Sequence, residues 1–131
     1  MNILKFHPFL DKCIFVNHNV SDLQLKEIYH LSDCCISASI DEGYGLPIAE
    51  ALNNNCHIIA SDIDVFREFE LNDDCYFALD DNGHELELRI RQFITRKKLA
   101  KNGQLKVSQP KINNKIQSWE ESVESLINAL R

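Results

Sequence analysis

Short apolar runs alternate along this chain with stretches whose apolar residues recur at helical spacing, and that alternation restricts the fold more than any other feature. Cys34-Cys-Ile-Ser-Ala-Ser39 is small and apolar without strict alternation, as expected of a strand in a parallel sheet covered on both faces. Cys13-Ile-Phe-Val16 is an earlier buried strand, Cys56-His-Ile-Ile-Ala60 a third, and Cys75-Tyr-Phe-Ala78 a short fourth. A helix between Val16 and Cys34 is capped by Ser21 and carries Leu23, Leu25, Ile28, Tyr29 and Leu31. A second follows Asp41–Gly45, with Pro47 in its first turn, where the missing N–H costs nothing, and Ile48, Ala49, Ala51 and Leu52 behind it. It ends at Asn53-Asn-Asn55, because asparagine tolerates the left-handed conformation that usually calls for glycine.

Asp62–Glu70 is expected to be a loop with a helical turn, and Asp80-Asp-Asn-Gly83 closes the short last strand. The remainder is helical: Leu86, Ile90, Phe93 and Ile94 mark one apolar face, and Trp119, Val123, Leu126, Ile127 and Leu130 mark a terminal helix over about 116–131. The predicted class is α/β, a parallel sheet flanked by helices in a single domain over 1–131, and such sheets bind ligands at the carboxyl ends of their strands.

The size supports one core: 131 residues, 44% hydrophobic and 26% charged. A site closed between two domains would need a partner. The five cysteines are odd in number and lack C-x-x-C spacing, so buried thiols in a reducing compartment are expected. The histidines form no H-E-x-x-H pattern, so no metal site is expected. The amino terminus is interrupted by Lys5, His7, Pro8 and Asp11 before any apolar stretch reaches signal-peptide length, which predicts a cytoplasmic protein, or one peripheral at the inner face of the membrane. The net charge of -6 hides an asymmetry, with ten of the fourteen Lys and Arg residues from Arg89 onward and an acidic Asp41–Glu87. Nucleic acid binding is not suggested. The basic strip at Arg89, Arg91, Arg96, Lys97, Lys98, Lys101 and Lys106 reads as a solvated helix face, with anionic-membrane contact as the weaker alternative.

Residues 39 to 50 hold the candidate chemistry: a strand end, a loop with Gly43 and Gly45, a helix start, and Glu42 and Glu50 separated by seven residues. The glycines would let backbone approach a ligand, and the free N–H groups of the helix N-terminus favour phosphate or sugar oxygens. Ionised carboxylates only accept hydrogen bonds, which suits them to the paired hydroxyls of a ribose or hexose, and both side chains can point into one cleft. A plain tight turn with two solvated glutamates fits the same spacing. So does a loose dinucleotide fingerprint, Gly43-Tyr-Gly45 with Ala49 and then Asp62 as ribose ligand, although a full strand-helix unit precedes it here.

Glu42-Gly-Tyr-Gly-Leu-Pro-Ile-Ala-Glu50-Ala51 also resembles the E-x7-E signature of glycosyltransferase family 4. Val20-Ser-Asp-Leu-Gln-Leu-Lys-Glu-Ile-Tyr29 is similar to that family's VSD-x-EL-x-x-LY helix, and Ile58-Ile-Ala-Ser-Asp-Ile-Asp-Val-Phe-Arg-Glu68 to its VI-x-SD-x-PVFRE segment. Tyr76-Phe77 with Asp80, and the terminal Ser118-Trp119 helix, follow in the expected order, so the likeness covers about residues 10 to 131. It implies the Rossmann-like C-terminal, donor-binding half of a two-domain GT-B enzyme, lacking its first strand-helix unit. Such an enzyme transfers a hexose with retention from a nucleotide sugar to an acceptor, without metal or other cofactor.

By this resemblance Glu50 grips the ribose, and Glu42, as the catalytic-side residue, faces the donor sugar with the backbone N–H groups of Gly43, Tyr44, Gly45 and Leu46. Asn17 to Val20 cradles the base, and Arg67 and Glu68 lie near the cleft rim, a pair that could equally knit the loop to the sheet. Two departures stand out. The family's phosphate-neutralising Arg and Lys pair has no counterpart here, and Asp64 replaces the proline usual before Val-Phe-Arg-Glu. The implied partners are a nucleotide sugar and an acceptor domain or separate subunit, with self-association through the terminal helix. The isolated chain is expected to be inactive or nearly so. The alternatives are a stand-alone nucleotide or NAD-like dinucleotide binder and a truncated remnant without function.

Overall fold

A computed structural model describes residues 17–79 and 82–103. The expected strand at Cys13–Val16 and terminal helix at 116–131 lie outside these residues, as do Asp80 and Lys106. In chain order the elements are helix α1 (Asp22–Leu31), strand β1 (Cys34–Ser37), helix α2 (Leu46–Asn53), strand β2 (His57–Ser61), helix α3 (Asp64–Arg67), a 3-10 turn (Asp73–Cys75), strand β3 (Tyr76–Phe77) and helix α4 (His84–Lys101). The strands form a parallel sheet in the order β1-β2-β3. Cys34 faces His57 and Ser37 faces Ala60, while Ala60 faces Tyr76 and Ser61 faces Phe77. The class is α/β, as expected.

Local chemistry sets each boundary. Ser21 caps α1 with a reciprocal box: its hydroxyl accepts from the Gln24 N–H, and its own N–H donates to Gln24 Oε1 at 2.9 Å. Gly45, at φ +77, opens α2 with Pro47 in the first turn. At the other end Asn55 sits left-handed at φ +56 and its N–H donates to Leu52 O, while Cys56 N–H donates to Ala51 O. This 5→2 and 6→1 pair is a Schellman closure, with asparagine in place of glycine and buried Cys56 as its apolar follower.

The core lies where α2 crosses the sheet. Ile48, Ala51, Leu52, Ile58, Ala60, Phe66 and Tyr76 form one buried cluster. Consecutive Ile58, Ile59 and Ala60 are all buried, so β2 is covered on both faces, whereas β1, for which such cover was expected, leaves Ile36 half-exposed among the described residues. Fully buried Phe66 anchors α3, and its removal from water alone is worth about 2–3 kcal/mol.

The helical faces are narrower than the spacing predicts. Leu23 and Leu31 of α1 are exposed, leaving Leu25 and Tyr29 partly buried, and none of its residues is fully buried. On α4, Leu86, Ile90 and Phe93 turn inward but Ile94 does not, because a residue one step past Phe93 rotates off the stripe. The basic strip of α4 is partly tied to acids: Arg91 pairs with Glu87, Arg96 with Asp74 and Lys97 with Asp33. Arg89 is half-buried and reaches Gln92. His57 stacks on Phe93 with centroids 4.8 Å apart, fixing α4 against the amino end of the central strand β2.

Candidate functional site

The carboxyl ends of β1 and β2 diverge into two loops, and a cleft of about 500 Å³ opens between them. Its walls are Ile40, Asp41 and Glu42 after β1, and Ile63, Asp64, Val65 and Glu68 after β2. This is the place that a parallel sheet offers a ligand. Four of the seven lining residues are carboxylates and none is a cation, so the cleft attracts hydrogen-bond donors and repels anions.

Serine hydroxyls hold the first loop. Ser61, fully buried at the end of β2, donates its hydroxyl to Ser39 O at 2.5 Å. Ser39 in turn donates its own hydroxyl to Glu42 Oε1 at 2.8 Å. The end of β2 therefore fixes the strand exit of β1, and the strand exit orients Glu42. These two serines were not singled out in the sequence, although their places at the ends of two adjoining strand runs carried the signal.

Glu50 occupies a separate position. It lies on the second turn of α2, half-buried, and its Oε2 accepts the Tyr29 hydroxyl at 3.2 Å. Of the two signature glutamates only Glu42 is among the residues that line this cleft. Burial, together with the neighbouring Cys35 thiol and the Glu50 carboxylate, raises the Tyr29 phenol above its ordinary range and keeps it a donor. Desolvation likewise pushes the Cys35 thiol up to about 11 and Cys34 up to about 12.

The two glycines divide their roles differently from the expectation. A Cβ on Gly43 would meet nothing within 4 Å, leaving that backbone open to a ligand. Gly45 is buried, and a Cβ there would stand 3.0 Å from Phe69 and 3.1 Å from Phe66. On its Cβ side it faces protein rings, so packing and a positive φ alone suffice to demand glycine there. Tyr44 and Leu46 flank it exposed, the Tyr44 ring meeting Phe69 edge-on. Asn17 is exposed and Val20 partly buried, immediately before the Ser21 cap.

On the far wall Arg67 knits the loop, but its partner is not Glu68. Its Nε and Nη2 hold Asp62 in a fork at 2.6 and 2.9 Å, and its Nη1 holds Asp73 at 2.7 Å. The hydrogen bond from Arg67 draws the Asp62 carboxyl below its ordinary value. Its charge is thus committed, while Glu68 faces the cleft. Asp64, in the proline's place, begins α3 and favours its N-terminus. Among the described residues no group of three or more His, Cys, Asp or Glu side chains could hold a metal ion, and no helix is long and apolar enough to cross a membrane.

The family model of glycosyl transferases group 1 matches residues 5–105. The serotype-specific mannosyltransferase WbdA of Escherichia coli is 41% identical over 75 residues, which make up 57% of this chain and 9% of that protein. The O-antigen chain mannosyltransferase RfbU of Salmonella typhimurium is 42% identical over 71 residues, 54% of this chain and 20% of that protein. The similar segment is therefore a small part of either relative. No solved structure gives a significant match.

Proposed function

The chain belongs to the glycosyl transferases group 1 family, and from that premise we propose that it is the donor-binding, C-terminal half of a family 4 type GT-B enzyme. Its donor is a nucleotide-activated hexose. Kinship with WbdA and RfbU favours mannose, delivered to a growing polysaccharide of the O-antigen kind.

The observation that carries this reading is the Ser61–Ser39–Glu42 chain, which presents an oriented carboxylate to a cation-free cleft at the carboxyl ends of the strands. Carboxylates that only accept hydrogen bonds are suited to the hydroxyl-rich parts of such a donor, its sugar and its ribose. Glu42 takes hydroxyls of the donor sugar, Glu50 takes the ribose, and the backbone from Gly43 to Leu46 faces phosphate and sugar oxygens. Asn17 and Val20 stand where the base would be cradled.

In the transfer the bond between the sugar C1 and the diphosphate breaks and a bond from C1 to an acceptor hydroxyl forms. The hydroxyl proton passes to the departing phosphate oxygen, and by family resemblance the configuration at C1 is retained without a metal. Charge develops on the diphosphate, and the lining offers nothing positive to meet it. The cation and the acceptor surface therefore come from a further domain or a separate subunit, and the present segment alone binds donor with little turnover. The same reading puts the reaction in the cytoplasm or at the inner face of a membrane.

Calorimetric titration tests this reading. Nucleoside diphosphates, nucleotide sugars and NAD are titrated into wild type and Glu50→Ala. Preference for a nucleoside diphosphate, weakened at least tenfold in the variant, is expected. Tight NAD binding would replace the reading with a dinucleotide binder, and no binding with a domain that has lost its ligand.

A further inference from the structure

Tyr29 stands outside the signature, yet it is the one side chain among the described residues whose hydrogen bond reaches the Glu50 carboxylate, at 3.2 Å from α1 to α2. We propose that Tyr29 is the positioning residue that sets the plane of the Glu50 carboxylate for a ribose, and so makes the site prefer ribonucleotides to 2′-deoxyribonucleotides. The inference rests on the reading of Glu50 as the ribose ligand.

The physical need arises from the glutamate itself. The last torsion of a glutamate is broad and roughly two-fold, so an untethered carboxylate presents its two oxygens over a wide range of planes. A cis-diol asks for two acceptors at a defined angle, and an unpinned carboxylate loses part of the gain in being ordered by the ligand. The phenol removes that freedom beforehand by holding Oε2, which leaves Oε1 and the remaining lone pair of Oε2 at fixed directions.

The tether is stiff at its own end. The Tyr29 ring packs against the buried cluster that includes Ile48 and Ala51 of α2, so the ring cannot swing away without opening that contact. The phenol is held protonated by burial and by the adjacent Cys35 and Glu50, so it donates across the physiological pH range. Ser39 does the same for Glu42 from the other side of the loop. Each signature carboxylate thus has one oxygen bound by a protein hydroxyl.

The test titrates guanosine and uridine diphosphates and their 2′-deoxy counterparts into the full chain, as wild type, Tyr29→Phe, Glu50→Ala and the double variant. Wild type is expected to lose about tenfold in affinity when the 2′-hydroxyl is removed. In Tyr29→Phe, which keeps the ring and its packing, that ratio is expected to fall below about threefold. The double variant should show the ratio of Glu50→Ala alone, as two residues acting through one carboxylate require. Tyr29→Phe that weakens ribo and deoxy ligands equally, with the ratio intact, overturns the inference and leaves the phenol a packing group. A wild type that binds both diphosphates but ignores the 2′-hydroxyl overturns the ribose assignment of Glu50 and the inference with it.

Discussion

The guanidinium of Arg67 lies over the ring of Tyr76, its central carbon 4.1 Å from the ring centroid. The Tyr76 hydroxyl donates to Phe66 O and accepts from Leu71 N–H, while the Arg67 nitrogens hold Asp62 and Asp73. One cation and one phenol thereby brace the whole segment between β2 and β3, including the cleft wall of Ile63, Asp64, Val65 and Glu68.

Replacing Arg67 by methionine is expected to cost about 1–2 kcal/mol in urea denaturation, a modest figure because the ion pairs are solvent-exposed and screened. Lysine should recover less than half of it, since an ammonium cannot fork onto Asp62. Arg67 depresses the Asp62 carboxyl, so that part of the stability is present above the unfolded value near pH 3.9 and fades as pH falls through the lower folded value. Arg67→Met should flatten that acid limb.

Gly45→Ala combines a left-handed φ with a Cβ pressed on Phe69 and Phe66, and should lose about 2–4 kcal/mol. Gly43→Ala, with open space around it, should stay within about 0.5 kcal/mol of wild type. Equal denaturation midpoints for the two variants would contradict the division of labour between these glycines.

That contrast marks what was legible in the sequence. Local chemistry could be read directly: the Ser21 cap, Pro47 in the first turn and the left-handed Asn55 all follow from neighbours within a few residues. The role of Gly45 depends on Phe66 and Phe69, some twenty residues further on, and no periodicity reports such a meeting. Arg67 was legible as a knitting residue but its partners were not, because the choice of Asp62 and Asp73 over the adjacent Glu68 is made by the turn of α3. Leu23 and Leu31 fit a helical stripe on spacing, yet only a narrower face of α1 reaches α2. The site divided in the same way. Glu42 and Glu50 were visible by their spacing, whereas Ser39 and Tyr29, which orient them, act across a fold that spacing does not encode.

Ser61→Ala removes the hydroxyl that ties β2 to the exit of β1 and leaves Ser39 O to find another donor in a buried setting. A loss of about 1–2 kcal/mol is expected. Amide hydrogen exchange should quicken over residues 40–46 more than over α4, and uniform acceleration would argue against a local tether.

His57 gives a pH dependence of the opposite chemical kind. Burial lowers its pKa below the ordinary value, Arg96 adding to the effect and Asp74 opposing it, and its Nδ1 is buried without a hydrogen-bond partner among the described residues. The folded state therefore resists protonation while the unfolded chain accepts it near pH 6.5, so stability falls as pH drops below that value. Thermal unfolding between pH 7.5 and 5.5 should show a steeper loss in wild type than in His57→Gln.

The four described cysteines are free, and burial raises all of their thiols, Cys75 to about 11. At pH 7.5 they should resist iodoacetamide in the folded protein and react at least 100-fold faster in urea, as read by peptide mass mapping. Fast native alkylation of Cys56 or Cys75 would show that the core opens readily.

The sheet order has a consequence for how the molecule comes into being. Each strand lies beside the one synthesised just before it, so β2 can zip onto β1 through the short α2 crossover while the rest of the chain is still emerging. At that moment the loop around Gly45 is made but unsupported, because the rings that wedge beneath it arrive later, Phe66 on α3 and Phe69 just after it. The turn at Gly45 would thus be born loose and set only on emergence of Phe66 and Phe69, which makes this short stretch the latch of nascent-chain folding.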